Sequence, residues 1–316
     1  MLFLAALILL STAATAGLQA KLVRLAATSE GKVGIVFIDL KSSREVSVNG
    51  SQLFPAASVA KVPVMAAAFH LSDSGRLDLQ QRIRFRESDK LEGAGVLRWM
   101  KAGQEYTLWN LLRLMITLSD NTATKLAIEA IGLPIINDYL QSIGLKNTRI
   151  VDPTMLVEPP AANNNLTTPN DMARMMVRIY GRQGFSKKSA KQMIAWMNYQ
   201  RYRWGIWRGV PPGTYVANKT GNLEGILNDV GIVYTKKGNY VLSIFTWGFK
   251  RTRTARLLIN EISRTVYKEY TGEKVLKTKK KVIKRRSQRW PSVKSRRPSG
   301  RRGEVSGRRS RASPRR

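Results

Sequence analysis

Residues 54–61 read Phe54-Pro55-Ala56-Ala57-Ser58-Val59-Ala60-Lys61, and the chain changes character across them. Upstream, Val33 to Leu40 (VGIVFIDL) is rich in β-branched residues, and Glu45 to Val48 alternates after a polar turn. Together they read as a β-hairpin. Downstream, the spacing predicts a helix over Ser58–Ser72, so Ser58 stands at a helix start with Lys61 one turn on. Positions three apart share a helical face, so the hydroxyl and the amine can meet. A serine becomes a nucleophile when a neighbour takes its proton. A lysine can do that where burial and a second cation favour its neutral form. The N–H of Ser58 at the helix start adds a donor aimed at developing negative charge. Alone, the pair reads as a solvated Ser and Lys on an ordinary helix sooner than as a reactive site.

Working outward, helical patterns continue over Leu108–Leu118, Thr122–Ile131 (closed by Gly132 and Pro134) and Pro169–Tyr180. Strands then return at Tyr215–Thr220, Asp229–Tyr234 and Tyr240–Trp247, the last two joined by Lys236-Lys237-Gly238-Asn239. A final helix over Thr254–Tyr270 closes at Gly272. Strands at both ends with helices between predict an α/β (α+β) fold. Its antiparallel sheet pairs the first hairpin with the last three strands, beside a helical lobe.

Two further clusters fall at places where chemistry could use them. Ser119-Asp120-Asn121 lies between two helical patterns, where a short turn can present polar side chains to a cleft. A second hydroxyl there can pass a proton to a leaving nitrogen, and the Asn121 amide can hold an acyl side chain. The same residues would also cap the helix at Thr122 well. Lys219-Thr220-Gly221 lies in the first returning strand. The Lys219 cation could attract a carboxylate and Thr220 could hydrogen-bond to it. Gly221 lets another backbone come close, and the N–H of Asn222 would supply a second oxyanion donor.

Composition narrows the chemistry. The 316 residues, 43% hydrophobic, allow a large core in one mixed domain or two tightly joined ones. No cysteine is present, which excludes disulfides, thiolate metal sites and cysteine nucleophiles. His70 is the only histidine, so a multi-imidazole metal centre cannot be built. The G-x-S-x-G turn of α/β-hydrolases is absent, and a serine nucleophile here calls for a base other than histidine. Twelve residues beyond Ser58, His70 reads as structural, and Trp196, Trp204 and Trp207 read as packing. Trp99, after Gly93-Ala94-Gly95, is placed to line a cleft mouth.

The formal charge of +33 is uneven. Lys274 to Arg316 holds 19 basic residues and one acid, Glu304. That segment is poor in apolar residues, which predicts a disordered basic tail over 273–316 that suits an anionic envelope polymer or lipid surface. At the other end, residues 2–10 (LFLAALILL) are too short an apolar run to span a bilayer, and Ala14-Thr15-Ala16 fits a cleavage site, with Ala20 a second candidate. Residues 1–20 therefore read as a signal peptide, and the protein is expected to be secreted or periplasmic.

The three clusters in order, 61 residues from Ser58 to Ser119 and 100 from Ser119 to Lys219, resemble the motif set of class A β-lactamases and penicillin-binding proteins. The resemblance covers residues 21–272. It includes Thr167-Thr168-Pro169 opening a helix, and Val216-Ala217-Asn218 leading to Lys219, where the family usually has Ala-Asp. It implies a five-stranded antiparallel sheet with an all-helical lobe and the site between them. It further implies Ser58 as acylated nucleophile, Lys61 as its partner, Ser119 as proton shuttle, Asn121 as substrate and loop anchor, and Lys219 with Thr220 as carboxylate site. The substrate expected is a β-lactam, with no metal or organic cofactor and a monomeric state. The family's deacylating Glu sits in a Trp-Glu-Pro-Glu-Leu-Asn-like loop, and Arg149 to Pro160 contains no such motif. Glu158, 37 residues after Asn121, is the best-placed carboxylate, with Asp152 second. Two alternatives stay open: a penicillin-interactive peptidase or esterase acting on peptidoglycan stems, and a non-catalytic wall-binding protein that uses its basic tail.

Overall fold

In chain order the strands are β1 (Lys32–Asp39), β2 (Glu45–Val48), β3 (Phe54–Pro55), β4 (Arg82–Arg84), β5 (Glu105–Thr107), β6 (Leu166–Thr167), β7 (Val216–Leu223), β8 (Ile226–Tyr234) and β9 (Asn239–Trp247). The helices are α1 (residues 16–27), α2 (Lys61–Asp73), α3 (Leu108–Thr117), α4 (Asn121–Ile131), α5 (Leu133–Ser142), α6 (Pro169–Tyr180), α7 (Lys187–Asn198) and α8 (Thr252–Thr271). This computed structural model describes residues 16–155 and 164–273. The apolar start up to residue 15, the stretch with Glu158 and the basic tail from Lys274 lie outside the described residues.

Five strands form one antiparallel sheet in the order β2-β1-β9-β8-β7, which joins the first hairpin to the last three strands as the element order predicts. The middle strands are apolar almost throughout because both faces are covered. Alternate side chains point to opposite faces. Val36, Val230, Ile232, Val241 and Phe245 enter a core shared with α2, α3 and α6. Ile35, Phe37, Val233, Leu242 and Ile244 enter a second core with Ile259, Ile262 and Val266 of α8. Leu18 and Leu22 of α1 are buried in that second core too, so Leu18, which sequence reading places in a signal peptide, is part of the packed fold.

The helical lobe is centred on α2, which is buried from Lys61 to Phe69. A helix apolar on every side belongs in the middle of a bundle rather than on its surface. It differs from expectation at its start: Ser58 lies in a 3-10 turn, Ala57–Ala60, and the α-helix begins at Lys61. Lys61 caps the end of that turn, three residues on from Ser58. Three helices are added to those expected: α1, α5 and α7. In α5, Pro134 begins a helix instead of following one, as its fixed φ allows. In α7, Ser186 caps the first turn by accepting from Ser189 N at 3.1 Å. Gly272 ends α8 in the left-handed region at φ +80°.

Candidate active site

The turn carrying Ser58 is fixed to the sheet from behind. Asn228 on β8 donates through Nδ2 to Pro55 O at 2.9 Å and Ala56 O at 3.1 Å. Ala56 N donates to Asn165 O at 2.7 Å. Gly221 on β7 sits so close that a Cβ there would lie 3.1 Å from Ala57 Cβ, 3.2 Å from Ala56 O and 3.3 Å from Ser58 N. A side chain there would press on the turn, which would have to give by a few tenths of an ångström. Ser58 is half-buried, and its N–H belongs to a first turn that has no intrahelical acceptor. Asn222 is exposed next to Gly221 on the edge strand.

Lys61 is completely buried. Its Nζ donates to Ser119 O at 2.7 Å, Asn121 Oδ1 at 2.8 Å and Ser119 Oγ at 3.2 Å. Burial holds its pKa well below the usual lysine value, and the Lys219 charge pushes the same way against a weaker pull from Asp120. The turn between α3 and α4 divides the work of its three residues. Asp120 is the helix cap, with Oδ1 accepting from Ala123 N at 2.9 Å, while Ser119 and Asn121 face Lys61. Asp120 Oδ2 also takes the N–H groups of Val96 and Leu97 at 2.6 and 2.9 Å. That fixes the Gly93-Ala94-Gly95 loop over the turn, and Trp99 beyond it is 73% exposed.

Lys219 arrives from the sheet. It too is fully buried, and its Nζ donates to Ser119 Oγ at 3.1 Å and Thr220 O at 2.7 Å. Burial pushes its pKa down to about 7, against the pull of Asp229. Asp229 on β8 is itself buried and pushed up to about 7. It accepts from Asn218 Nδ2 and Ile206 N, both at 2.7 Å. Ser119 Oγ thus receives two lysine donors, which leaves its own proton free to be given away. Ser119 and Ala57 both have positive φ, +54° and +46°. Strain of this kind in non-glycine residues clusters at functional sites.

Among the residues singled out by sequence, Ser58, Lys61, Ser119, Asn121, Lys219, Thr220, Gly221 and Asn222 converge where the turn after β3, the α3–α4 turn and β7 meet. Glu158 lies outside the described residues. Asp152 accepts from Thr154 through both oxygens, Oδ2 from its Oγ1 and Oδ1 from its N, the latter at 2.8 Å. Asn165 pins this segment by accepting from Val151 N and Asp152 N. Sequence reading missed Asn228, Asp229 and Gln200, whose Oε1 accepts from Thr220 Oγ1 at 3.2 Å. Cross-strand register is the one signal that could have found Asp229, since it opposes Thr220. His70 hydrogen-bonds through Nδ1 to Gly184 O and stacks on Tyr139, at the far end of α2. Trp196 packs between Phe69 and Trp109, while Trp204 and Trp207 pack on the other core.

A family model described as the β-lactamase enzyme family matches residues 17–270. Among solved structures, PBP-A is 31% identical over 81% of this chain and 97% of its own, with a TM-score of 0.76. A β-lactamase from Sphaerobacter thermophilus is 31% identical over 83% and 99%, also at 0.76. An ancestral class A β-lactamase (GNCA) is 27% identical over 79% and 99%, at 0.74.

Proposed function

The chain belongs to the β-lactamase enzyme family, and from that premise we propose that it is a class A-like serine hydrolase that opens β-lactams through an acyl-enzyme on Ser58. The observation that carries the reading is the meeting of Lys61 Nζ and Lys219 Nζ on one hydroxyl, Ser119 Oγ. In the proposed sequence, Lys61 first loses a proton, and with it one of the three bonds it donates, and in that neutral form takes the Ser58 proton as Oγ bonds to the lactam carbonyl carbon. The N–H groups of Ser58 and Asn222 hold the oxyanion. The ring C–N bond then breaks, and the proton passes from Lys61 through Ser119 to the leaving nitrogen. Lys219 and Thr220 hold the substrate carboxylate, and Asn121 its acyl side chain. Water finally hydrolyses the ester, with Glu158 as the proposed base.

A solved variant of PBP-A is an acyl-enzyme complex with penicillin G, which supports the first half of this sequence. PBP-A matches this chain as well as the Sphaerobacter β-lactamase does, and that favours keeping a slow-releasing, peptidase-like second reading. Intact mass after mixing with penicillin G separates the two. We expect one drug mass on the peptide containing Ser58, none in Ser58→Ala, and loss of the adduct within a turnover time. An adduct in Ser58→Ala overturns the nucleophile. A persistent adduct in the wild type selects the second reading, and Glu158→Gln should create that persistence if Glu158 is the base.

Export is part of the proposal. Because Leu18 lies in the second core, cleavage after Ala16 fits the fold better than cleavage after Ala20. N-terminal sequencing of exported protein checks this. The basic tail is proposed to hold the enzyme to an anionic envelope polymer or lipid surface.

A further inference from the structure

Thr220 has one hydroxyl proton, and the structure shows where it is directed. Thr220 Oγ1 donates to Gln200 Oε1 at 3.2 Å, and both side chains are buried. Gln200 follows α7, and the next residue, Arg201, donates its N–H to Thr117 O. Gln200 is therefore wedged between the end of α3 and the edge strand β7, directly behind the Lys219-Thr220 pair. Its other amide atom, Nε2, is buried without a partner among the described residues.

This arrangement conflicts with the role proposed for Thr220. A carboxylate offers only acceptors, so Thr220 can bond to one only by donating. A hydroxyl already donating to Gln200 cannot also donate to substrate. A half-turn of the Gln200 amide resolves the conflict: Nε2 would then donate to Thr220 Oγ1, and the threonine proton would be released towards the substrate. Because Nε2 makes no bond in the present orientation, the rotation breaks none besides the one it replaces. Oxygen and nitrogen have nearly the same shape, so both orientations fit one cavity.

We propose that Gln200 is a positioning residue that turns the Thr220 hydroxyl towards a substrate carboxylate by exchanging its amide oxygen for its amide nitrogen. This rests on the assignment of Thr220 to the carboxylate site. A glutamate in its place offers no donor, holds the threonine proton permanently and adds a negative charge. A methionine fills similar volume and makes no demand on the hydroxyl.

The test compares Gln200→Glu and Gln200→Met with wild type on two substrates, benzylpenicillin and its methyl ester, which lacks the anionic carboxylate. For benzylpenicillin, Gln200→Glu should raise KM by about ten-fold or more, a change equivalent to one good hydrogen bond, with kcat changed much less. Gln200→Met, which neither holds nor aims the hydroxyl, should raise KM by an intermediate factor of about three to ten, and a wild-type KM in this variant would remove the positioning role. On the ester all three should agree within about three-fold. In a Thr220→Val background Gln200→Glu should lose most of its extra cost, the coupling expected of two residues that act through one bond. Equal losses on both substrates in both variants, or a Gln200→Glu effect that persists undiminished without the threonine hydroxyl, would overturn the proposal. If wild type forms no Ser58 adduct, the failure lies with the proposed function instead.

Discussion

Lys61 and Lys219 meet at one hydroxyl, yet the regions that deliver them are built differently. Lys61 comes from the helical lobe, at the start of a helix, and among the described residues its amine bonds to no carboxylate. Asp120, the acid that pulls on it, has its oxygens occupied by the N–H groups of Val96, Leu97 and Ala123. Lys219 comes from the sheet with Asp229 acting on it from the neighbouring strand. Burial is the same for both, so the difference lies in the countercharge. The helical side favours a neutral amine fit to accept a proton, and the sheet side favours a cation fit to hold an anion. The two lysines also reinforce the division, since each charge disfavours the other.

The largest effect should follow removal of the proton acceptor. Lys61→Ala is expected to slow acylation by benzylpenicillin about 10³-fold or more, within the range of lost general-base catalysis. Stopped-flow acylation that stays near wild type would mean that the sheet-side lysine, or neither, is the base.

Lys219→Ala should lower kcat/KM on benzylpenicillin by about 10- to 100-fold, as for loss of a charged hydrogen bond, and affect the methyl ester less. It should also lower Tm, because Asp229 is left buried without its cation. Adding Asp229→Asn should recover much of the Tm and none of the activity. A double variant no more stable than the single one would separate Asp229 from Lys219 and undo the contrast.

Asp229→Asn alone sharpens the comparison through pH. With the carboxylate gone, Lys219 is easier to deprotonate, so its pKa falls further below about 7. The protonated form proposed to bind substrate is then lost earlier as pH rises. The alkaline limb of kcat/KM should move to lower pH, with little change on the acid side. Asn218 Oδ1, unpartnered among the described residues, can receive the new amide after a flip of Asn218. A shift to higher pH would contradict the assigned sign.

The smallest kinetic effect is expected from ending the chain at Gly272. Turnover of benzylpenicillin should stay within about two-fold, while retention on an anionic matrix at low salt should be lost, since polyanion binding falls steeply with salt. Truncation that abolishes turnover would make the tail part of the catalytic unit.

The sheet was legible because its strands are β-branched and bounded by turn residues, and register then follows from the short β8–β9 connection. The helix α5 was hidden by a Gly-x-Pro signal that marks an end as readily as a beginning. The helix α7 was hidden by the polar residues in KKSAKQMIAWMN, which blur its apolar stripe. The paired strands β3–β6 and β4–β5 are too short to carry a period. At the site, the motif residues could be read because their spacing is local or recurrent. Asn228, Asp229 and Gln200 act through partners far along the chain, and no local pattern announces them. Asn228, for instance, holds a carbonyl 173 residues away.

The positive φ values at Ala57 and Ser119 bear on how this protein could be improved. Each left-handed non-glycine residue stores about 1–3 kcal/mol, a sizeable share of the margin by which a domain stays folded. Both lie at the candidate site, one beside the proposed nucleophile and one at the shared hydroxyl. Relaxing the backbone at these two positions would misplace Ser58 or Ser119, whereas Ser43 and Arg182, also left-handed, are not among the residues of the site. A screen that selects on thermostability alone would accept changes at all of these positions, whereas one that scores hydrolysis as well would keep those at Ser43 and Arg182.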